Sequence, residues 1–339
     1  MSTSDKPLKM VTCSNPACEA KVFIPSDLPP LATEPCKRCG YPIMMPMQLR
    51  QFELRSKIAS GGQGKVYRAF DTVLERLVAV KLMRKELESD PVALEGFYRE
   101  ARACAALNHT NIIHIYSFDD LEGQRYLVME LADRGSLDTR IEKHQRLAEL
   151  EVLDIGTKIA SALNMVLKHE LLHRDIKPGN ILFNLDHEPK LVDFGLARHP
   201  DAEPESAAVT EGTPYYVAPE KIKREKETFV SDMYSLGCTL YHALTGHVPF
   251  EAPTVEELVS AHVHTQLTPP NLVLPEVSQA TSDALVRVMA KNPSDRFLSY
   301  DEFIMALEDA RSKLLIKQTT QPPSGKGIKK TTSWWRRGG

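Results

Sequence analysis

Apolar and polar positions alternate in several short runs before residue 131 and recur at helical spacing in two longer ones. In FELRSKIASGGQGKVYRAF, from Phe52, the positions Phe52, Leu54, Val66 and Tyr67 alternate and glycines interrupt them, which predicts two strands joined by a flexible turn. RLVAVKLM is strand-like again, yet it contains Lys81, a charge that a half-buried strand would otherwise avoid. FYREARACAAL has Phe97, Ala101 and Cys104 at helical spacing and would bury one face. RYLVMEL, Arg125 to Leu131, reads as a strand leading into the polar turn DRGSLD. Between Glu149 and Leu172, Ile155, Ile159, Leu163 and Val166 mark a long amphipathic core helix.

With 339 residues, 42% hydrophobic and 26% charged, the chain has room for two domains and a sizeable core. The net charge of −3 hides an uneven distribution: after Asp309 there are eight Lys or Arg and no acidic residue. No stretch approaches the roughly 20 apolar residues of a transmembrane helix. The start, MSTSDKPLKMVTC, lacks the apolar core of a signal peptide. A cytoplasmic protein is therefore expected, with its six cysteines as thiols or metal ligands rather than disulfides.

Four of those cysteines fall before residue 40, Cys13 with Cys18 and Cys36 with Cys39. Two such pairs converging on one ion satisfy tetrahedral zinc, and four thiolates close its shell, so the metal would be structural. The second pair, CKRCG, has Gly40 where a tight knuckle needs positive φ. The first pair has four intervening residues, still within the recurring spacings. Free thiols or a redox pair are the alternatives. A segment of about 40 residues buries too little to fold alone, and metal binding worth roughly 10–16 kcal/mol would supply the missing stability. Residues 1–48 are thus expected to form a small module like a zinc ribbon, with a docking or regulatory role toward a partner that the sequence does not identify.

The run HRDIKPGN, His173 to Asn180, followed by DFG at Asp193 to Gly195, carries the chemistry. Holding a hydroxyl nucleophile, a γ-phosphate and a magnesium ion together needs a proton acceptor, a cation near the phosphate and metal-ligating oxygens. Asp175, Lys177, Asn180 and Asp193 are those groups in that order. On these motifs the chain resembles the eukaryotic-type (Hanks-type) serine/threonine protein kinases. The resemblance implies an α+β chain with the bilobal kinase fold, a β-rich N-lobe and a helical C-lobe over residues 52–312. The zinc ribbon would precede it, and a disordered basic tail over 313–339 would follow.

The resemblance also implies roles. Asp175 would accept or orient the substrate hydroxyl proton, and Asn180 with Asp193 would bind magnesium, or manganese in its place. In the glycine-rich loop the family's first glycine falls at Ala59, so only Gly61 and Gly64 match, with Gly62 between them and Ile58 leading in. Lys81 would meet the α- and β-phosphates of ATP and be held by Glu100. Met129 would back the adenine pocket, the backbone of Glu130 and Ala132 would bond the purine edge, and Val66, Ala79 and Leu182 would sandwich the ring. Lys177, with Thr213 in GTPYYVAPE, indicates protein substrates phosphorylated on serine or threonine. Arg174 could pair with a phosphate in the activation segment, at Thr210 first or Ser206 second. Asp232 would hydrogen-bond the catalytic-loop backbone, and Arg296 would pair with Glu220.

His262 and His264 have no motif around them and are expected on a helix surface; Cys104 and Cys238 read as buried small hydrophobes. In the tail, Trp334 and Trp335 beside Arg336 and Arg337 suit an anionic membrane surface or nucleic acid, or else a solvated tail. The competing classes are a binding-only pseudokinase, for which the altered loop at Ala59 speaks, and a scaffold whose ribbon and tail recruit partners.

Overall fold

The computed structural model describes residues 8–13, 15, 17–62, 64–87, 89–199 and 214–320. Ser206, Thr210 and Thr213, and the tryptophans and arginines of the tail, lie outside them. The cysteine segment folds as two small hairpins, β1 (Leu8–Thr12) with β2 (Lys21–Pro25) and β3 (Thr33–Pro35) with β4 (Pro42–Met44). Ile43 and Met45 pack with Cys13, Cys36, Val22 and Ile24. Met44, pointing the other way as strand alternation requires, is buried in the next lobe beside Leu31.

The chain then enters a six-stranded antiparallel sheet in the order β5-β6-β7-β8-β10-β9. Its strands are β5 (Met47–Leu49), β6 (Phe52–Ser60), β7 (Gly64–Asp71), β8 (Arg76–Met83), β9 (Ile115–Leu121) and β10 (Gln124–Met129). The edge strand β5 and the hairpins before it thus continue the small lobe rather than hanging from it. The predicted strand–turn–strand is β6 and β7, paired from Phe52↔Asp71 to Ser60↔Lys65. Helix α1 (Pro91–Ala106) crosses the sheet, its N-terminus capped by Asp90, whose carboxylate accepts from the Val92 N–H at 2.9 Å. Its buried face holds Phe97, Glu100, Ala101 and Cys104, as the spacing predicts.

The large lobe contains α2 (Leu137–His144), α3 (Glu149–Lys168), the hairpin β11 (Ile181–Phe183) with β12 (Pro189–Leu191), α4 (Pro219–Ile222), α5 (Phe229–Thr245), α6 (Val255–His264), α7 (Pro270–Val273), α8 (Gln279–Val288) and α9 (Tyr300–Thr320). Helix α3 buries Ile155, Ile159, Leu163 and Val166. At Gly156 a Cβ would sit 2.8 Å from a Leu240 methyl and 3.1 Å from one of Leu307, so glycine lets α3, α5 and α9 close up.

Two expectations need correction. Helix α9 continues to Thr320, into the segment expected to be disordered from residue 313. Leu314 still packs against the core, the Lys313–Asp309 pair spans one turn at 2.6 Å, and an established helix extends cheaply past its last contact. His262 is fully buried, not on the surface. Its Nδ1 lies 3.0 Å from the Tyr234 hydroxyl and its ring meets Phe250 edge-on. The helix sequence itself gives no hint of the two rings that meet His262, Tyr234 from α5 and Phe250 from the segment after it. His264 is exposed, and Cys104 and Cys238 are buried, as expected.

Candidate active site

Lys81, on β8, reaches across to Glu100 on α1, and the two side chains form an ion pair. Burial pushes the Glu100 carboxyl above its usual value, Lys81 opposes this, and nearby Asp193 adds to it. The charge that looked out of place in a strand is thus matched by one on the helix packed over it. In front of them the β6–β7 turn closes through the Gly61 N–H, which donates to the Gly64 carbonyl at 2.9 Å. A Cβ on Gly64 would lie 2.4 Å from the Leu82 carbonyl oxygen, so β7 and β8 can approach only with glycine there. A Cβ on Gly61 or Gly62 would meet no close neighbour, so the loop's inner side is open.

The HRD segment is held from below by α5. The carboxylate of Asp232 accepts from the backbone N–H groups of His173 at 2.7 Å and Arg174 at 2.8 Å. Burial raises Asp232, and these two backbone donors oppose it. His173 is also fully buried, and burial lowers it, so it is neutral. Its Nε2 donates to the Val192 carbonyl at 3.1 Å and its Nδ1 accepts from the Asp175 N–H at 3.3 Å, which fixes the tautomer. Its ring packs edge-on against Phe194 at 4.6 Å. One buried imidazole therefore ties the HRD turn to the DFG turn.

The polar groups converge from that base. Asp175 Oδ2 accepts from Lys177 Nζ at 2.6 Å and from Asn180 Nδ2 at 2.8 Å. The same Nδ2 donates to the Asp175 carbonyl. Asp175 Oδ1 and Asn180 Oδ1 have no hydrogen-bond partner among the described residues, so both remain available as acceptors. Asp193 sits at φ 65°, in the left-handed region, and its side chain accepts from the Gly195 N–H at 3.4 Å. At the linker the Glu130 N–H donates to the His114 carbonyl at 2.8 Å, while its C=O and the Ala132 N–H are unpaired among the described residues. Ala79 and Ala132 are buried, and Val66, Met129 and Leu182 half-buried, on either side of this edge; Ile58 is more exposed.

Sequence reasoning missed the partners of Glu130. Its carboxylate accepts from the buried Lys190 on β12 at 2.7 Å, with Asn184 and His114 nearby at 3.4 Å. The signal was present, because Lys190 is a charge in the strand leading to Asp193, as Lys81 is in β8. Also missed was Glu227, 3.8 Å from Arg174 Nε; Arg174 is otherwise largely buried with Nε unbonded among the described residues. The expected Arg296–Glu220 pair is present, buried and bidentate at 2.7 and 2.8 Å. Burial alone would raise Glu220, but the Arg296 bonds outweigh it and hold the carboxyl below its usual value.

In the N-terminal segment the sulfurs of Cys13, Cys18, Cys36 and Cys39 lie within 4.8 Å of one another. Cys13 and Cys39 are 3.7 Å apart, against about 3.8 Å for the edge of a tetrahedron with 2.3 Å metal–sulfur bonds. Gly40 has φ +75°, as the knuckle requires. Backbone N–H groups of Arg38 and Cys39 lower the Cys36 thiol to about 7, whereas burial pushes Cys13 up to about 12.

Comparison with known proteins agrees with this geometry. The family model described as the protein kinase domain matches residues 52–305. Serine/threonine-protein kinase PknH of Mycobacterium bovis is 36% identical over 262 residues, which is 77% of this chain and 44% of that protein. PknE of Mycobacterium tuberculosis is 36% identical over 264 residues, 78% of this chain and 46% of that protein. The probable serine/threonine-protein kinase PknB of Lactococcus lactis is 33% identical over 256 residues, 75% and 41%. The chain thus spans less than half the length of these relatives. No helix of the described residues is long and apolar enough to cross a membrane. With the family model covering three quarters of it, the chain belongs to the protein kinase family.

Proposed function

We propose that this protein transfers the γ-phosphoryl group of ATP to serine and threonine hydroxyls of protein substrates. The observation that carries the reading is the formed Lys81–Glu100 pair facing an Asp175 carboxylate whose Oδ1 is left free by Lys177 and Asn180. Asp175 Oδ1 orients the attacking hydroxyl and takes its proton as its oxygen bonds to the γ-phosphorus, while the bond from that phosphorus to the β–γ bridging oxygen breaks and ADP leaves with the electron pair. Lys177, beside that carboxylate, offsets negative charge on the transferred group. Lys81 holds the α- and β-phosphates, and the backbone at Gly61 and Gly62, where no side chain stands in the way, covers them. Gly64 shapes that loop by letting β7 approach β8. The Glu130 carbonyl and Ala132 N–H bond the purine edge, with Ile58, Val66, Ala79, Met129 and Leu182 around the ring. Asn180 Oδ1 and the Asp193 carboxylate would be the hard oxygen ligands for magnesium, which would supply positive charge against the phosphates.

Arg174 is the proposed cationic partner that donates to a phosphate on Thr210 or Ser206, which would displace its long contact to Glu227. Cys13, Cys18, Cys36 and Cys39 would hold a structural zinc, and their shared closeness supports a closed four-thiolate shell. The cytoplasm, where ATP is present and thiols stay reduced, is the proposed compartment.

The test is incubation of the purified chain with labelled ATP and magnesium beside Asp193→Ala, with phosphosites mapped by mass spectrometry. Label in the wild type alone, on serine or threonine, is the expected result. Nucleotide binding without label in either protein would overturn the reading in favour of a pseudokinase.

A further inference from the structure

On the large lobe, outside the nucleotide cleft, lies a concave site of about 570 Å³ lined by Arg134, Arg140, Lys143, His144, Arg146 and His187. Helix α2 buries Leu137 and Ile141, so positions 140, 143 and 144, spaced i, i+3, i+4, share its outer face. Leu147 and Ala148 form part of the lining, and Glu151 from α3 is its one carboxylate. That carboxylate is already taken by Arg140 at 3.0 Å. Arg140 also stacks 3.2 Å over the Phe183 ring and donates to His187 Nδ1, so its guanidinium is fixed. Arg146 pairs with Glu276 at 2.6 Å at an exposed edge, where such pairs exchange readily with other anions. Arg134, Lys143 and His144 are exposed and have no acidic partner among the described residues.

Like charges gathered in a hollow repel one another, and an anion there relieves the repulsion. A volume of this size lies within the range of ligand pockets and is far larger than one inorganic anion needs. Among the described residues its lining has no Phe, Tyr or Trp, the rings that make the large stacking platforms for nucleobases. Its permanent cations come from three chain segments, Arg134 at the linker exit, Arg140 and Lys143 on α2, and Arg146 in the α2–α3 loop. That arrangement suits several carboxylates spaced along a chain better than a single phosphate. We propose that this cleft docks an Asp/Glu-rich segment of the protein substrate. The identification of the partner as a substrate rests on the kinase reading above. Docking on the lobe that carries Asp175 raises the local concentration of the acceptor hydroxyl.

The experiment is a fluorescence anisotropy titration of a labelled Asp/Glu-rich peptide onto the full chain without nucleotide. The comparison probes are an uncharged peptide and the same uncharged sequence carrying one phosphoserine. The acidic peptide should bind, weaken as salt is raised, and lose about tenfold in affinity on the double change Arg134→Glu and Lys143→Glu. Nucleotide affinity, measured on the same double variant, should not move, which shows that it folds. Equal binding of the uncharged peptide, or an affinity indifferent to the double change, would overturn the proposal. Preference for the phosphopeptide would overturn it in favour of a phosphate site. Asp193→Ala should bind the acidic peptide like the wild type, so failure of docking and failure of phosphoryl transfer are read separately.

Discussion

Lys190 is placed to act on the proposed nucleotide site without touching it. Its ammonium, almost fully buried, is matched by both oxygens of Glu130, the residue whose carbonyl is proposed to bond the purine edge. Lys190→Met leaves that carboxylate without its main partner. A fully buried pair broken this way costs roughly 3–5 kcal/mol; about 2 is expected here, because Glu130 keeps some solvent and the Asn184 and His114 contacts. The linker should then shift, so the KM for ATP rises several-fold while kcat changes less, and Glu130→Gln in the same chain should recover part of the stability. A fall in kcat at unchanged KM would contradict this positioning role. The residues proposed to do chemistry were legible because phosphoryl transfer demands particular groups at fixed spacing. Lys190 and Glu227 were not singled out, since their partners are set by folding of distant segments. His262 was misread for the same reason.

At the scale of elements, β4 and α6 carry the consequences. Strand β4 turns Ile43 toward the cysteine cluster and Met44 into the sheet lobe, so both cores share one short strand. The alternation in this segment was too short to reveal it, and β5 was legible neither as a strand nor as a sheet edge. If the four thiols hold zinc, chelation should lower the melting temperature and speed amide exchange in β5 and β6 while the large lobe stays protected. Unchanged exchange in β5 and β6 after metal removal would refute the coupling.

Helix α6 gives a pH signature. His262 is lowered from 6.5 to about 4, first by burial and then by the nearby Lys291, whose ammonium donates to the His262 carbonyl. A histidine held neutral in the fold is protonated first in the unfolded chain. Its contribution is complete above pH 6.5 and is lost as pH falls toward 4, up to about 3 kcal/mol. His262→Gln should flatten the acid limb of a stability–pH curve in that window, as urea denaturation at stepped pH will show. His173, also lowered by burial, will leave part of the slope in place.

For the whole molecule, the buried Arg296–Glu220 pair links the end of the chain's kinase region to the segment that follows the activation loop. Arg296 makes three further bonds, to the carbonyls of Ala290, Val230 and Lys291, so its charge is fully coordinated. Removing it leaves Glu220 buried and unpaired, which costs roughly 3–5 kcal/mol. The damage should be local in function as well as global in stability. Helix α4, which carries Glu220, directly follows Tyr215 to Ala218, and Lys221 donates to the Arg174 carbonyl at 3.0 Å. The groups proposed to hold nucleotide belong to the other lobe and to the HRD–DFG base, which Asp232 and His173 hold independently. Arg296→Met should therefore lower the denaturation midpoint and kcat/KM for a peptide substrate more than it weakens nucleotide binding. Adding Glu220→Gln should restore part of the stability, because no buried charge is then left unmatched, without restoring peptide phosphorylation, since α4 still lacks its anchor. A double variant that regained both would mean that the pair serves stability alone.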